Sequence, residues 1–348
     1  MKVLVSTVPT ALQLHLLHWK LAGGKYKRIT MANINRRDFL FLGAGAAVAN
    51  VFGGVNVYTS GIENEQVLKI THLEIDIGIK HAFKAFHFSD THLNYFDAVD
   101  FASVDKKKKD HYHKRWGRFP QSLQSFYASV DYAMKRRMPM LHTGDLIDFT
   151  SDGNDRVLRH NVVGLDFHYA IGNHEYQDRG SEHYTDDQPG VRKRLRQYLP
   201  NDLTVASRVL GGANFVSFDN AFHNLRYETI AGVKKEFEKG LPVVLMCHIP
   251  PTYTKLFREN SRKNRMKTYL AMGGNPMSID EFALPGNPAD KHDEKTREFY
   301  DWLRTRKDLK AILCGHTHWA QSDDFSDTAK MYVAGGNFEG QANEIVFK

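Results

Sequence analysis

Ala311-Ile312-Leu313-Cys314-Gly315-His316-Thr317-His318 carries the reading of this chain. An apolar run of strand length stops at a glycine, and two imidazoles one residue apart follow at once. A strand that ends in ligand-type side chains opens its carboxyl end onto a site, as strands of open α/β sheets do. Outward from this stretch the arrangement recurs in four more places. Val243 to Met246 leads into Cys247-His248-Ile249-Pro250, and Phe167 to Ile171 leads into Gly172-Asn173-His174-Glu175. Met138 to His142 precedes Gly144-Asp145-Leu146-Ile147-Asp148, and Phe83 to Phe88 precedes Ser89-Asp90-Thr91-His92. Five such ends brought to one edge build one pocket.

Any single block is weak, because a histidine after a strand is more often structural than a ligand and Asp-x-His arises by chance. Their joint occurrence, in order and each after an apolar run, decides the matter. Imidazoles, carboxylates and one amide form a mixed N/O donor set suited to Mn, Fe, Zn or Co, with no thiolate required. A carboxylate shared by two divalent cations about 3.5–4 Å apart makes a clamp for the attacking and leaving oxygens of an in-line displacement. Two shared cations also supply hydroxide near neutral pH. The expectation is a hydrolytic site.

In order and composition the five blocks resemble those of the calcineurin-like metallophosphoesterases, over about residues 70–340. The resemblance implies an α/β four-layer sandwich, two mixed β-sheets flanked by helices, with a dimetal site at the strand carboxyl ends. It implies that Asp90, His92 and His318 hold a first divalent metal ion, that Asp145 bridges, and that Asn173, His248 and His316 hold a second. His174 is then the histidine that binds no metal, steadies the phosphoryl group and protonates the leaving oxygen, with Asp148 orienting it. For Asp148 the alternative is a carboxylate at a helix N-terminus, favoured there by the macrodipole. The implied activity is hydrolysis of a phosphomonoester or phosphodiester by a metal-held hydroxide, on a phosphorylated small-molecule or lipid substrate. A binding scaffold without metals is the rival class, and the presence of all seven ligand positions and His174 argues against it.

The remaining pattern is that of a layered α/β domain. Leu68 to Ile77 alternates as a half-buried strand does and is expected to pair with Phe83 to Phe88 across a short turn. Helical spacing marks Leu123 to Met134, Val191 to Tyr198 and Glu294 to Leu303. Residues 94–120 and 251–292 are connections longer than a compact domain needs, and both are rich in Lys and Arg. A charge run of this kind is usually a solvated face, although both leave from ligand blocks and could reach a phosphate; His111 and His113 are candidates to border the pocket. His72, His87, His142, His160 and His168 sit in or near apolar runs and read as structural. Cys247 and Cys314 allow at most one bridge and are expected to pack as small hydrophobes.

The formal charge of +7 does not describe the domain. Residues 1–38 hold seven Lys and Arg against Asp38 alone, and the rest of the chain has 40 basic against 39 acidic residues. A near-neutral domain gives no support to a nucleic-acid partner, and a nuclease is disfavoured on the same ground.

Near the N-terminus, Asn35-Arg36-Arg37-Asp38-Phe39-Leu40 precedes a Gly/Ala-rich apolar run and resembles a twin-arginine (Tat) signal, with Phe41 where a lysine is usual. Within the family, the bacterial Tat-exported branch is the most similar; it often has Gly-Gly-Gln after its last block, where this chain has Trp319-Ala320-Gln321. The Tat machinery is thus an expected partner, and the periplasm or the outer face of the membrane the expected location. Ala47-Val48-Ala49 suits cleavage, whereas apolar residues continuing to Val57 leave a membrane anchor as the alternative. Four glycines in residues 43–54 make that segment a poor spanning helix, which needs roughly 20 mostly apolar residues. An opening at Met31 would place the arginines where such signals carry them. Residues 1–30 are therefore expected to lie outside the fold as an upstream extension, 31–60 to be signal or anchor, and 66–348 to be the catalytic domain.

Overall fold

Gln341–Phe347 (β13), the last strand of the chain, runs through the middle of a sheet rather than along its edge. It pairs in parallel with Lys69–Ile75 (β3) and antiparallel with Phe83–Phe88 (β4). The first two strands of the domain therefore do not pair with each other, contrary to the sequence expectation. Each instead finds its partner about 270 residues later, across Ile345↔Leu73 and Ile345↔Ala85. The short connection after Ile75 is long enough to step over one intervening strand, so local proximity did not decide the pairing.

The structure, a computed structural model, describes residues 67–177, 185, 187–222, 224–251 and 293–348, together with Leu16–Lys20 (β1) and Tyr26–Thr30 (β2), which pair antiparallel. The chain divides into two units, Met1–Glu63, which holds β1 and β2, and Asn64–Lys348, which holds everything that follows. The twin-arginine segment and residues 252–292 of the second basic insertion lie outside the described residues. Among the described residues no helix is long and apolar enough to cross a membrane.

Two mixed sheets make up the second unit. The first has the order β3-β13-β4-β5-β6, with Met140–His142 (β5) and Phe167–Tyr169 (β6) parallel to β4. Val205–Leu210 (β7), Ala213–Phe218 (β8), Val243–Met246 (β9), Leu309–Cys314 (β10), Gln321–Asp324 (β11) and Lys330–Val333 (β12) form the other, in the order β11-β12-β10-β9-β8-β7. Strands β8, β9, β10 and β12 are mutually parallel neighbours, and β9 and β8 are buried at every position, as continuous Val, Leu, Phe and Met runs require.

Three cores show the layering. Phe215, Val244, Met246 and Leu313 of one sheet meet Ala85, Leu141, Ile345 and Phe347 of the other in the central core. Outside the first sheet, Ser122–Lys135 (α3) buries Leu123, Phe126, Val130 and Ala133, the i, i+3, i+7 and i+10 stripe, against Phe86, Phe88 and Met140. Asp152–Asn161 (α4) and Gln188–Leu195 (α5) complete that layer. Outside the second sheet, Tyr227–Phe237 (α6) and Glu294–Arg304 (α7) cover Leu245 and Ile312 with Val233, Phe237, Phe299 and Leu303. The expected helix–sheet–sheet–helix sandwich is the fold observed.

The first basic insertion is not an irregular connection. It holds Ala98–Ser103 (α1) and Lys106–Arg118 (α2), each started by an aspartate. Asp97 accepts from the amides of Val99 and Asp100 while Asp100 reciprocates on the Asp97 amide, a capping box. Asp105 accepts from the Lys108 amide at 2.8 Å. Phe96, Tyr112 and Phe149 form a small core beneath the two helices.

Candidate metal centre

All five blocks lie at carboxyl ends of strands, three on the first sheet after β4, β5 and β6 and two on the second after β9 and β10. Direct bonds tie the strand ends together: the amide of His316 donates to both oxygens of Asp90 across the two sheets, and that of Gly315 to the carbonyl of His248 at the end of the neighbouring strand. Asp90, His92, Asp145, His316 and His318 all hold left-handed backbone, with φ between 50° and 72°. Such conformers cost a non-glycine residue on the order of 1–3 kcal/mol each and persist where the surroundings over-determine them. Here they turn five side chains inward from loops that would otherwise continue away from the sheet.

The side chains fall into three groups, within each of which the donor atoms lie within 4.8 Å of one another: Asp90, His92 and His318; Asp145, His248 and His316; and His92, Asp148 and His174, which shares His92 with the first. In the first, the Nε2 atoms of His92 and His318 are 3.1 Å apart and His318 Nε2 is 3.4 Å from Asp90 Oδ1. In the second, His248 Nε2 lies 3.1 Å from Asp145 Oδ2, 3.1 Å from Asn173 Oδ1 and 3.2 Å from His316 Nδ1. Asp145 Oδ2 is also 3.7 Å from His92 Nε2, so one carboxylate faces both groups. Ring nitrogens turned towards one another around buried carboxylates are a donor set that fits divalent cations. The third group does not, because the guanidinium of Arg115 sits on Asp148 and would repel a cation there.

Partners behind the site fix the ring orientations. His248 Nδ1 donates to the carbonyl of Thr143 at 2.7 Å and His92 Nδ1 to Asp148 Oδ1 at 2.8 Å, which turns each Nε2 towards the pocket. Asp148 Oδ1 is also 3.2 Å from His174 Nδ1, and that nitrogen is 3.0 Å from the Asp148 carbonyl. Asp148 therefore serves two histidines. It is not a helix N-terminal carboxylate, since α4 begins at Asp152 with Ser151 as its cap.

Several participants carried no role in the sequence reading. Glu175, buried inside the quoted Gly-Asn-His-Glu block, accepts from the amides of Asp145, Ile147 and Gly172 at 2.8–3.0 Å and ties two ligand loops together. Asn220 accepts from the amides of His248 and Ile249. From the first insertion it is Arg115 that reaches the cluster, while the His113 ring lies by Phe101 and Tyr112. His87 and His142 are buried structural residues, bonded to Thr143 and Thr91, and burial pushes both down to about 3. Cys247 and Cys314 are free and buried, their sulfurs 3.6 Å apart, and pack as expected.

Electrostatics within the cluster are opposed in sign from residue to residue. Burial lowers His248, but the carboxylates of Asp145 and Asp90 outweigh it and push the group up to about 10. Burial and the charged His248 hold His316 well below the ordinary imidazole range. Burial raises Asp90, yet the bond to His318 and the neighbouring imidazoles bring it down to about 2. His174 is raised: burial opposes its charge, and Asp145 and Asp148 together override that.

Asp, His and Asn side chains are thus gathered where the strand ends of the two sheets adjoin, in a pocket of metal-ligand type. A family model described as calcineurin-like phosphoesterase matches residues 83–320, which contain all five blocks. The chain belongs to that family and is a phosphoric ester hydrolase. No curated protein matches it. Among solved structures it is similar to a dimetal phosphatase from Danio rerio, at 12% identity and TM-score 0.38 over 74% of this chain and 88% of that one. A phosphopantetheinyl hydrolase from Mycobacterium tuberculosis gives 12% and 0.36 over 77% and 91%. A putative 5'-nucleotidase from Staphylococcus aureus gives 14% and 0.35 over 74% of this chain and 49% of that one, so the chain spans about half its length.

Proposed function

We propose that the protein hydrolyses phosphomonoesters or phosphodiesters of small molecules or lipids, with two divalent cations held by seven side chains. Asp90, His92 and His318 would hold one ion and Asn173, His248 and His316 the other. Asp145 would bridge, and its position between His92 and His248 is the observation that carries the reading. The cations, when bound, supply hydroxide near neutral pH and balance charge on the phosphoryl oxygens.

The chain's own residues do the rest. His174, with Nδ1 held by Asp148, presents Nε2 as the atom that gives a proton to the departing oxygen, and the neighbouring carboxylates keep that proton in place. Its amide donates to Asp145 Oδ1 at 2.9 Å, so the bridging carboxylate and the proton donor move as one. Burial of Asp90, His92, Asp145 and His248 excludes competing water from the ligand atoms. The twin-arginine block at Arg36 and Arg37 supports export of the folded, metal-loaded enzyme through the Tat machinery to the periplasm or the extracytoplasmic face of the membrane.

Asp145→Asn and His174→Ala should fail differently. Asp145→Asn should lose bound metal together with turnover. His174→Ala should keep both metals while turnover falls roughly 10²–10⁴-fold, the usual contribution of a placed general acid. The fall should be larger for alkyl than for aryl esters, whose departing oxygen needs little protonation. Metal analysis of both variants with kinetics on two leaving groups is the test. Loss of metal from His174→Ala, or equal slowing of both esters, refutes its role as a proton donor outside the metal set.

A further inference from the structure

Helix α2 ends at the site. Arg115 lies in its last turn and Phe119 just after it, four residues on, so both side chains come off one face. The carbonyl of Arg115 accepts from Asn94 Nδ2 and from the Phe119 amide, which pins the helix terminus. The Arg115 guanidinium grips Asp148 through Nε, at 2.6 Å from Oδ2, and through Nη2 on Oδ1. Its centre also stands 4.7 Å over the ring of Phe119. The other face of the arrangement is closed by His92, whose imidazole stacks on Phe119 at 4.5 Å with 6° between the planes. His92 Nδ1 in turn bonds Asp148. The contacts run round a closed ring: Arg115 to Asp148, Asp148 to His92, His92 to Phe119 and Phe119 back to Arg115. Phe119 and Asp148 are fully buried and the Arg115 side chain is 12% exposed, so little water competes for these contacts.

We propose that Arg115 and Phe119 form a positioning clamp, carried by the α1–α2 insertion, that locks the Asp148 carboxylate between His92 and His174. The proposal rests on His174 being the proton donor. A carboxylate free to rotate could turn either oxygen to either histidine. A bidentate guanidinium bond leaves one orientation, and the stacked Phe119 prevents His92 from following a displaced Asp148. Arg115 acts through Asp148 and need not touch substrate, so its loss should appear in turnover and not in KM. Lysine offers one point charge in place of the planar fork and should restore the clamp only in part.

The test uses the full chain loaded with zinc, with Arg115→Ala, Arg115→Lys and Phe119→Leu compared on an alkyl and an aryl phosphoester. Expected for Arg115→Ala is metal content equal to the parent, unchanged KM, and kcat lowered about 10–100-fold on the alkyl ester, the usual cost of losing a partner behind a site residue. The loss should be several-fold smaller on the aryl ester, Arg115→Lys should lie between, and Phe119→Leu should shift kcat in the same direction. In proton NMR, the slowly exchanging imidazole N–H signals of His92 and His174 should broaden in Arg115→Ala. Unchanged kcat and unchanged N–H signals overturn the clamp, as does a raised KM at constant kcat, which would make Arg115 a substrate contact. Equal slowing of both esters with sharp N–H signals also overturns it. If His174→Ala shows no leaving-group bias while Arg115→Ala broadens the imidazole signals, the proton-donor reading fails and the clamp stands. Should Arg115→Ala not fold, Arg115→Gln, close in length, gives the same readouts.

Discussion

Replacing Gly315 with alanine should cost the protein its metal site, and the cost can be worked from distances. A Cβ at Gly315 would lie 1.8 Å from Ser89 Oγ, 2.7 Å from Ser89 Cβ and 2.5 Å from Asp90 Oδ2. Ser89 cannot swing aside cheaply, because it is fully buried and its hydroxyl donates to the Thr143 carbonyl at 3.0 Å. Asp90 cannot either, since both its oxygens accept from the His316 amide. Forcing a methyl into a packed site costs about 1–3 kcal/mol. Breaking a buried bond to a charged acceptor adds about 1.5–3 kcal/mol. A total of roughly 2.5–6 kcal/mol follows from these two terms. Urea denaturation gives the stability change, and metal analysis the retention of ions. Gly212→Ala is the control: its φ is +93° and nothing lies within 4 Å of an added Cβ. It should cost roughly 1–2 kcal/mol from left-handed backbone alone and leave metal and turnover unchanged. In a Ser89→Gly background the Gly315→Ala penalty should shrink, because two of the three clashes are gone and the sites are in contact. A Gly315→Ala protein within about 0.5 kcal/mol of the parent and fully metallated would refute the reasoning.

Two further outcomes are expected. In the ion-free protein His248, pushed up to about 10 against an unfolded value near 6.5, contributes stability that is complete below pH 6.5 and is lost as pH rises through 10. The chelated protein should therefore lose thermal stability between pH 6.5 and 10 while the metal-loaded form does not, since a bound ion takes the proton's place; a flat profile for the chelated form rejects this. Arg36→Lys combined with Arg37→Lys should abolish export while activity in the cell extract persists, and normal export of the double variant removes the Tat assignment.

The five ligand blocks were legible in the sequence because each is a local event: an apolar run that packs in a sheet, then polar donors where the strand leaves it. Helices α1 and α2 went unread because a Lys-rich segment shows little apolar periodicity, although Asp97 and Asp105 are cap residues that could have marked their starts. Glu175 had no readable role, since its partners are backbone amides of Asp145 and Ile147, about 30 residues away, and an amide has no sequence identity. Arg115 looked like any charge on a solvated face until the helix end carried it to Asp148. Read alone, the sequence determined which side chains can serve the chemistry, because residue type sets donor atoms and an apolar run sets where they emerge. The tertiary structure decided the rest: β13 between β3 and β4, the left-handed turns at five site residues, and one carboxylate facing both ligand groups. Those depend on contacts between residues far apart in the chain, where pairing is chosen by the packing of two sheets against each other and not by any neighbour in sequence.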